Sequence, residues 1–325
     1  MLGKLREDYH LLFGRQWPVW VGGLLIGLVN VFLFLFYQPW TTLDGALNWG
    51  NWILNGVGVL SGGADSPLLR SGSVINFGLL FGALMAALLA GQFGVRVGPR
   101  GELAKGVIGG VMLGIGAATA RGCNIGGFFS AVSAFGMNGL AMAVGLAVGA
   151  FVGARYLVWE SERGPAVSAP AAAEGGTTAP AIRRRNLQPY VGAVVFLGLV
   201  VGAVVYGLTG YTDRAIILLF GAVLGVISQR SRVCFVQAFR EPFLTGRTEH
   251  TRAMLLGLLV SLIGFALVKT AIFEKETEFV RETFWIGSLV GGIIFGVGMV
   301  LAGGCGGGSI WRAGEGHVKL WLAVA

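Results

Sequence analysis

Charge is what this sequence has least of. Asp, Glu, Lys and Arg make up 12% of its 325 residues, against 54% that are hydrophobic, and the mean hydropathy is +0.74. Soluble globular domains carry about 25% charged residues, so a soluble domain is excluded. Cysteine is scarcer still. Cys123, Cys234 and Cys305 are the complete set, and none stands in CxxC spacing. That excludes a disulfide framework and leaves any role they have to thiols. No other histidine lies near His317, which argues against a metal site there, and no nucleotide-binding motif is present to drive an ATP engine. No cofactor is expected.

What the sequence has instead is apolar length. Residues 18–37, 74–92 and 190–208 carry no charge over about 20 positions, the length of helix that crosses hydrocarbon. Further runs at 105–121, 139–157, 214–229, 252–273 and 286–303 bring the complete spans to eight, and another begins near Leu320 and stops at Ala325. Barrel strands would alternate polar and apolar residues over about ten positions, so the expected fold class is an all-α integral membrane protein with about nine transmembrane helices. The first span is long and lacks a small-residue cleavage site, and reads as a retained helix. The Asn- and Trp-rich stretch 41–60 suits an interfacial helix.

The formal net charge of +8 sits in short loops beside the spans: Arg96, Arg100 and Lys105; Arg183 to Arg185; and Arg230, Arg232, Arg240, Arg247 and Arg252. Such placement orients helices rather than binding nucleic acid, and it puts these loops and the N-terminus in the cytoplasm. The net acidic segment 273–282 fits the outside. Residues 159–188, rich in Ala, Pro, Gly and Thr, read as a flexible cytoplasmic linker between a first membrane half at 1–158 and a second at 189–325. The chain is expected in the cytoplasmic (inner) membrane.

The halves resemble each other. Aligning 109–127 with 291–309 pairs Gly110 with Gly292, Gly114 with Gly296, Gly116 with Gly298, Ala120 with Ala302, Gly122 with Gly304, Cys123 with Cys305 and Gly126 with Gly308. FGALMAALL (81–89) likewise matches FGAVLGVIS (220–228). The additional helix at 252–273 inverts the second cysteine block, and inverted repeats are a transporter architecture. The second-half counterpart of 140–157 would start near residue 322, so the second half is expected to be truncated at its C-terminus.

Glycines at helix ends permit turns closed to other residues and let a ligand or backbone approach closely. Non-helical backbone at membrane depth persists only where it is buried in protein or lines a wet path. Two helix ends breaking toward each other from opposite faces would bring Cys123 and Cys305 to a central constriction. The competing reading is that cysteine is simply a small buried apolar residue, and that glycines such as Gly145, Gly149 and Gly153 let helices pack in lipid. That reading holds for the 145–153 series. For Cys123 and Cys305 the repeat keeps the thiol while Asn124 and Ile125 become Gly306 and Gly307. Cys234 has no cysteine at its first-half counterpart. A soft, polarisable thiol suits a sulfur or selenium atom, and Arg121, Arg230, Arg232 and Arg312 beside the cysteine segments favour an anion. For Arg230 and Arg232, cytoplasmic anchoring is an equal alternative. Glu315 and His317 are expected to pair with Arg312 in a capping loop, and Gly122, Asn124, Gly126, Gly304, Gly306 and Gly308 to support the path.

RGCNIGGFF (121–129), QRSRVCFVQAFREPFLTGRTEH (229–250) and GMVLAGGCGGGSIWRAGEG (298–316) resemble the signature blocks of the YeeE/YedE family of membrane transporters for sulfur-containing compounds, from about Trp17 to the end of the chain. The match looks closest to a YedE-like branch associated with selenium metabolism, whereas better-understood members take up thiosulfate. The resemblance implies an hourglass-shaped bundle with short helices entering from both faces and cysteines along its axis. It further implies passage of a small sulfur or selenium anion by hydrogen bonds with Cys123, Cys305 and Cys234, without a covalent intermediate and without enzymatic chemistry. A cytoplasmic sulfur-carrier protein is a partner consistent with that role. Two alternatives stand beside it. A membrane-embedded sulfurtransferase would form a persulfide, but no neighbouring residue looks like its general base. A soft-metal conduit would be expected to use CxxC or paired methionines.

Overall fold

The computed structural model describes residues 9–60, 63, 65–163, 187–273 and 284–324. Most of the expected linker and of the acidic segment near 273–282 lies outside them. In chain order the helices are α1 (Val19–Phe36), α2 (Leu43–Gly56), α3 (Ser71–Leu89), α4 (Arg100–Ala120), α5 (a π-helical turn Asn124–Phe129 running into Ser130–Ser133) and α6 (Met137–Arg163). The second half follows with α7 (Gln188–Leu208), α8 (Thr212–Ser231), α9 (Phe235–Leu244), α10 (Glu249–Val268), α11 (Trp285–Ala302), α12 (Gly306–Gly314) and α13 (Val318–Val324).

Among the described residues eight helical segments are long and apolar enough to cross a membrane, at the places where the apolar runs require them. The amphipathic α2 stands in the 41–60 stretch, and α13 occupies the start of the interrupted run. α6 ends six residues past its apolar run, and α4 begins five residues before its own. Pro99 caps it and Glu102 lies in its first turn, where a carboxylate favours the helix dipole. Its charges are neutralised in place: Glu102 is 2.9 Å from Lys105 and 2.7 Å from Lys319, and Lys105 is 2.6 Å from Glu160.

Lipid is as apolar as leucine, so helices in a bilayer associate through close packing, and small residues set how near they come. Gly145, Gly149 and Gly153 of α6 lie against Leu289 to Ile293, Ile293 to Gly296, and Val300 of α11, which makes these helices parallel. Gly23 and Gly27 of α1 meet Ala253 and Gly257 of α10, and Gly78 and Gly82 of α3 meet Leu218 to Ala222 of α8, both also in parallel. By contrast, Gly109 of α4 rests on Gly298 and Ala302 of α11, and Gly116 rests on Gly291 and Phe295. α4 therefore runs antiparallel to α11. This is the relation that inverted cysteine blocks demand.

One end of the bundle is tied by polar groups. Arg232 Nη1 lies 2.8 Å from the Glu315 carboxylate, to which Gln229 Nε2 also donates at 3.0 Å. Gln92 Oε1 accepts from Arg232 Nη2 at 2.9 Å and from Gln229 at 3.0 Å. Arg96 pairs with residues 316 and 318 through its backbone and donates from Nη1 to His317 Nε2 at 2.8 Å. The expected pairing with Arg312 is thus replaced. Glu315, buried after α12, meets the arginine that α8 presents, while Arg312 points back along its own element to the Gly303 carbonyl at 3.1 Å.

Two outcomes follow from this packing. Gly116→Leu would drive a side chain into the Gly291 carbonyl and Phe295 backbone, whereas two residues earlier Gly114 has nothing within 4 Å. Gly116→Leu should therefore lower thermal stability in detergent markedly, overpacking costing about 1–3 kcal/mol or more, and Gly114→Leu should leave it within error. The second concerns acid. Burial, and then the charges of Arg312, Arg96 and Arg232, push the His317 ring down to about 4, so the folded state holds it neutral and accepting from Arg96. The unfolded chain binds a proton from about pH 6.5 downward. The His317 contribution is therefore intact above that pH and declines until the folded ring also protonates near 4. Thermal melts across this range should show a smaller loss in His317→Gln than in the parent, and equal losses would refute the assignment.

Candidate functional site

The three cysteines occupy the same local structure. α4 ends at Ala120, Arg121 turns left-handed with φ 52°, and Cys123 caps α5. α8 ends at Ser231, Arg232 turns left-handed with φ 57°, and Cys234 caps α9. α11 ends at Ala302, Gly303 turns left-handed with φ 74°, and Cys305 caps α12. Each break is thus a left-handed residue, one intervening residue, and a cysteine in extended backbone. Left-handed backbone is unfavourable for a residue with a β-carbon, so Arg121 and Arg232 hold it only because the surrounding packing fixes the reversal. The thiols act as N-caps in two cases: Cys123 Sγ accepts from Gly126 N at 3.5 Å and Cys305 Sγ from Gly308 N at 3.3 Å. All three cysteines are buried and free.

Because α4 and α11 are antiparallel and the chain reverses at both ends, the two cysteine blocks return to a common level. A β-carbon built on Gly306 would lie 3.7 Å from Cys123 Cβ and 3.9 Å from its Sγ, and one on Gly307 would strike Ile125 Cδ1 at 2.6 Å. This explains the sequence difference between the blocks. Ile125 occupies the space that a second isoleucine at position 307 would need, so the second block must carry glycine. Cys305 and Cys234 in turn line one cavity of about 10 Å³, with Ile26, Trp40, Ile125, Ser228 and Trp311 among the walls. That is about the space of one water. Cys234 also borders a second void of about 10 Å³ toward Phe129 and Met254.

Trp40, Thr41 and Thr42 are not among the residues that reading the sequence singles out. Thr42 Oγ1 is 3.4 Å from Cys123 Sγ, and Thr41 Oγ1 is 4.0 Å away. The segment is pinned by Asn30 of α1, whose Oδ1 accepts from Trp40 N at 2.9 Å, and by Ser130 Oγ, which donates to the Trp40 carbonyl at 2.7 Å. The only available signal was the polar pair directly after a span, which is common in interfacial turns.

The arginines are distributed unevenly. Arg232 and Arg312 lie 5.9 and 5.2 Å from the Trp311 ring centroid, one ring away from the cavity of Cys234 and Cys305. Arg240 of α9 acts electrostatically on Cys234 and Arg312, and its Nε is buried without a partner. Arg230 is fully buried but spends its guanidinium on the carbonyls of Leu12 and Arg15, the anchoring alternative. Arg121 is exposed, with its guanidinium 4.9 Å from the Phe284 ring centroid. Gly122 packs on Gly127, Gly126 on Thr41, and Gly304 on Ser309 and Leu320. These glycines, with Gly308, let each returning strand approach its neighbours.

Chemically the arrangement offers neutral thiols, hydroxyls and amides in a buried row, with cations at one end. Among the described residues no group of three His, Cys, Asp or Glu side chains is placed to hold a metal ion. Glu315 is engaged by Arg232 and Gln229.

Comparison with known proteins follows the same residues. Residues 4–152 and 230–325 match the family model described as sulphur transport. The probable transporter YedE of Escherichia coli (strain K12) is 34% identical over 262 residues, covering 79% of this chain and 63% of its own length. Its Salmonella typhimurium namesake is 31% identical over 297 residues, 87% of this chain and 71% of its own. The thiosulfate transporter TsuA of Escherichia coli is 38% identical over 108 residues, 33% of this chain and 30% of its own. The chain thus spans less than two thirds of the Escherichia coli YedE. With the family model covering well over half of the sequence and every cysteine block inside the match, this chain belongs to the sulphur transport family.

Proposed function

We propose that this protein is a transporter, not an enzyme, and moves a small sulfur-containing anion of the thiosulfate type across the cytoplasmic membrane, with its N-terminus in the cytoplasm. The observation that carries the reading is the convergence of three free, buried thiols, each placed by the same helix break. Cys123, Cys305 and Cys234 form the path, and each presents a soft S–H donor to the terminal sulfur of the solute. Selenium analogues of the solute share that soft end. The relatives named for transport and for thiosulfate support the substrate class.

Moving an anion into a membrane interior costs several kcal/mol unless something replaces its water. The positive N-terminal ends of α9 and α12 face the row, and Arg232, Arg240 and Arg312 supply a field at one end. Voids of about 10 Å³ are too small for a polyatomic anion, so this conformation is a closed constriction and transport requires it to widen. A sulfurtransferase would need a base to activate its thiol, and Glu315 is already engaged as a structural partner of Arg232. Delivery to a cytoplasmic sulfur carrier would complete the uptake on the side where the arginines gather.

Uptake of ³⁵S-labelled thiosulfate into vesicles containing the parent or Cys305→Ala tests this reading. Cys305→Ala should insert normally and lose about tenfold or more of the uptake, as expected when a donor to a charged solute is removed, and the label should emerge as intact thiosulfate. Equal uptake by the variant would sink the thiol path, and cleavage of the label would favour the sulfurtransferase.

A further inference from the structure

Three hard donors beside the thiols have no part in the path as described so far. Asn124 is fully buried, yet neither its Oδ1 nor its Nδ2 has a hydrogen-bond partner. It follows Cys123 directly, and Gly306, the neighbour of Cys305, is where a β-carbon would come within 3.9 Å of Cys123 Sγ, so the amide stands where the two cysteine blocks meet. Trp40, 3% exposed, lines the cavity of Cys234 and Cys305 with its Nε1–H unpartnered. Thr42, 1% exposed, has only the weakly accepting Cys123 sulfur at 3.4 Å for its hydroxyl.

Buried polar atoms are nearly always hydrogen-bonded, and an exception calls for a reason. Packing does not supply one for Asn124, since the matched position in the second block is Gly306 and an apolar side chain would fill the space without orphaned atoms. Nor do these groups suit a soft atom. Amide, indole and hydroxyl donors match charged oxygen, with which they make short, strong bonds. Thiols match sulfur. Both kinds stand together here, Trp40 beside Cys234 and Cys305 at one cavity and Thr42 against Cys123.

We infer that the constriction recognises its solute by two ends: thiols take a terminal chalcogen, while Asn124 Nδ2, Trp40 Nε1 and Thr42 Oγ1 take the oxygens of an attached sulfonyl group. The substrate class is then an oxyanion carrying one soft terminal atom, thiosulfate or its selenium analogue, in preference to bare hydrosulfide. Asn124 is the specificity-determining residue, because it alone of the three follows a cysteine directly and has both amide atoms buried without a partner. Hydrosulfide has no oxygen for it to hold. The inference rests on the transport reading above and adds the oxygen end to it.

The test compares uptake of labelled thiosulfate and labelled hydrosulfide by the parent, Asn124→Leu, which keeps the branched shape, and Asn124→Ser, which keeps a donor. Asn124→Leu should raise the half-saturating thiosulfate concentration by about tenfold or more, Asn124→Ser should raise it less, and hydrosulfide entry should stay within about twofold of the parent. Trp40→Phe, which removes the N–H together with part of the ring, should shift the same ratio in the same direction and serves if the Asn124 variants fail to insert. Unchanged thiosulfate kinetics, or parallel losses for both solutes, would overturn the inference. A parent that carries no thiosulfate at all would instead overturn the transport reading on which it rests.

Discussion

The structure depends on breaking a helix inside a membrane without stranding its backbone. A helix that ends at membrane depth leaves carbonyls and amide hydrogens that lipid cannot satisfy. This chain meets that constraint three times with one device. A left-handed residue turns the strand back, and a cysteine two positions later starts a new helix, its sulfur accepting an amide hydrogen in two of the three cases. Serine or aspartate would cap more strongly. A cysteine at that position gives up capping strength for a side chain that is neutral, soft and a weak donor, and places it at the protein interior where the three breaks meet.

Close packing then holds the breaks in register. The antiparallel crossing of α4 and α11 through Gly109, Gly116, Gly291 and Gly298 brings two independent reversals to one level, and the parallel pairs on either side brace them. The repeat cannot be perfectly symmetric at the centre, because two identical sets of side chains would claim one volume. The first block keeps Asn124 and Ile125, and the second yields with Gly306 and Gly307. The asymmetry leaves a single polar amide at the centre of a nearly twofold arrangement.

Much of this was legible in the chain. Eight apolar runs located eight spans because the cost of a charge in lipid is large enough to write itself into composition, and the repeat located Cys123 and Cys305 because identical backbone reversals need similar residues. The start of α4 was hidden by Lys105, whose charge is cancelled by Glu102 and Glu160, the latter 55 residues away in sequence. The Arg232–Glu315 pair and the approach of Thr42 to Cys123 join residues 83 and 81 positions apart, and no local pattern encodes such contacts. Cys234 looked solitary because its first-half counterpart has no cysteine. Its kinship with the other two lies in backbone dihedrals, with arginine at Arg121 and Arg232 doing what glycine does at Gly303.

On the transport reading proposed above, lining the path with thiols, when cations are at hand, follows from what conduction requires. A site must attract its solute enough to admit it and weakly enough to release it, and several shallow sites in series do this better than one deep one. Here Arg232 is neutralised by Glu315, Arg312 is held by the Gly303 carbonyl, and both stand behind the Trp311 ring. Their field reaches the thiols without a direct contact at the cavity wall. On that reading the arginines bias the direction from which an anion arrives, while weak bonds to sulfur and a few hard donors decide which anion passes.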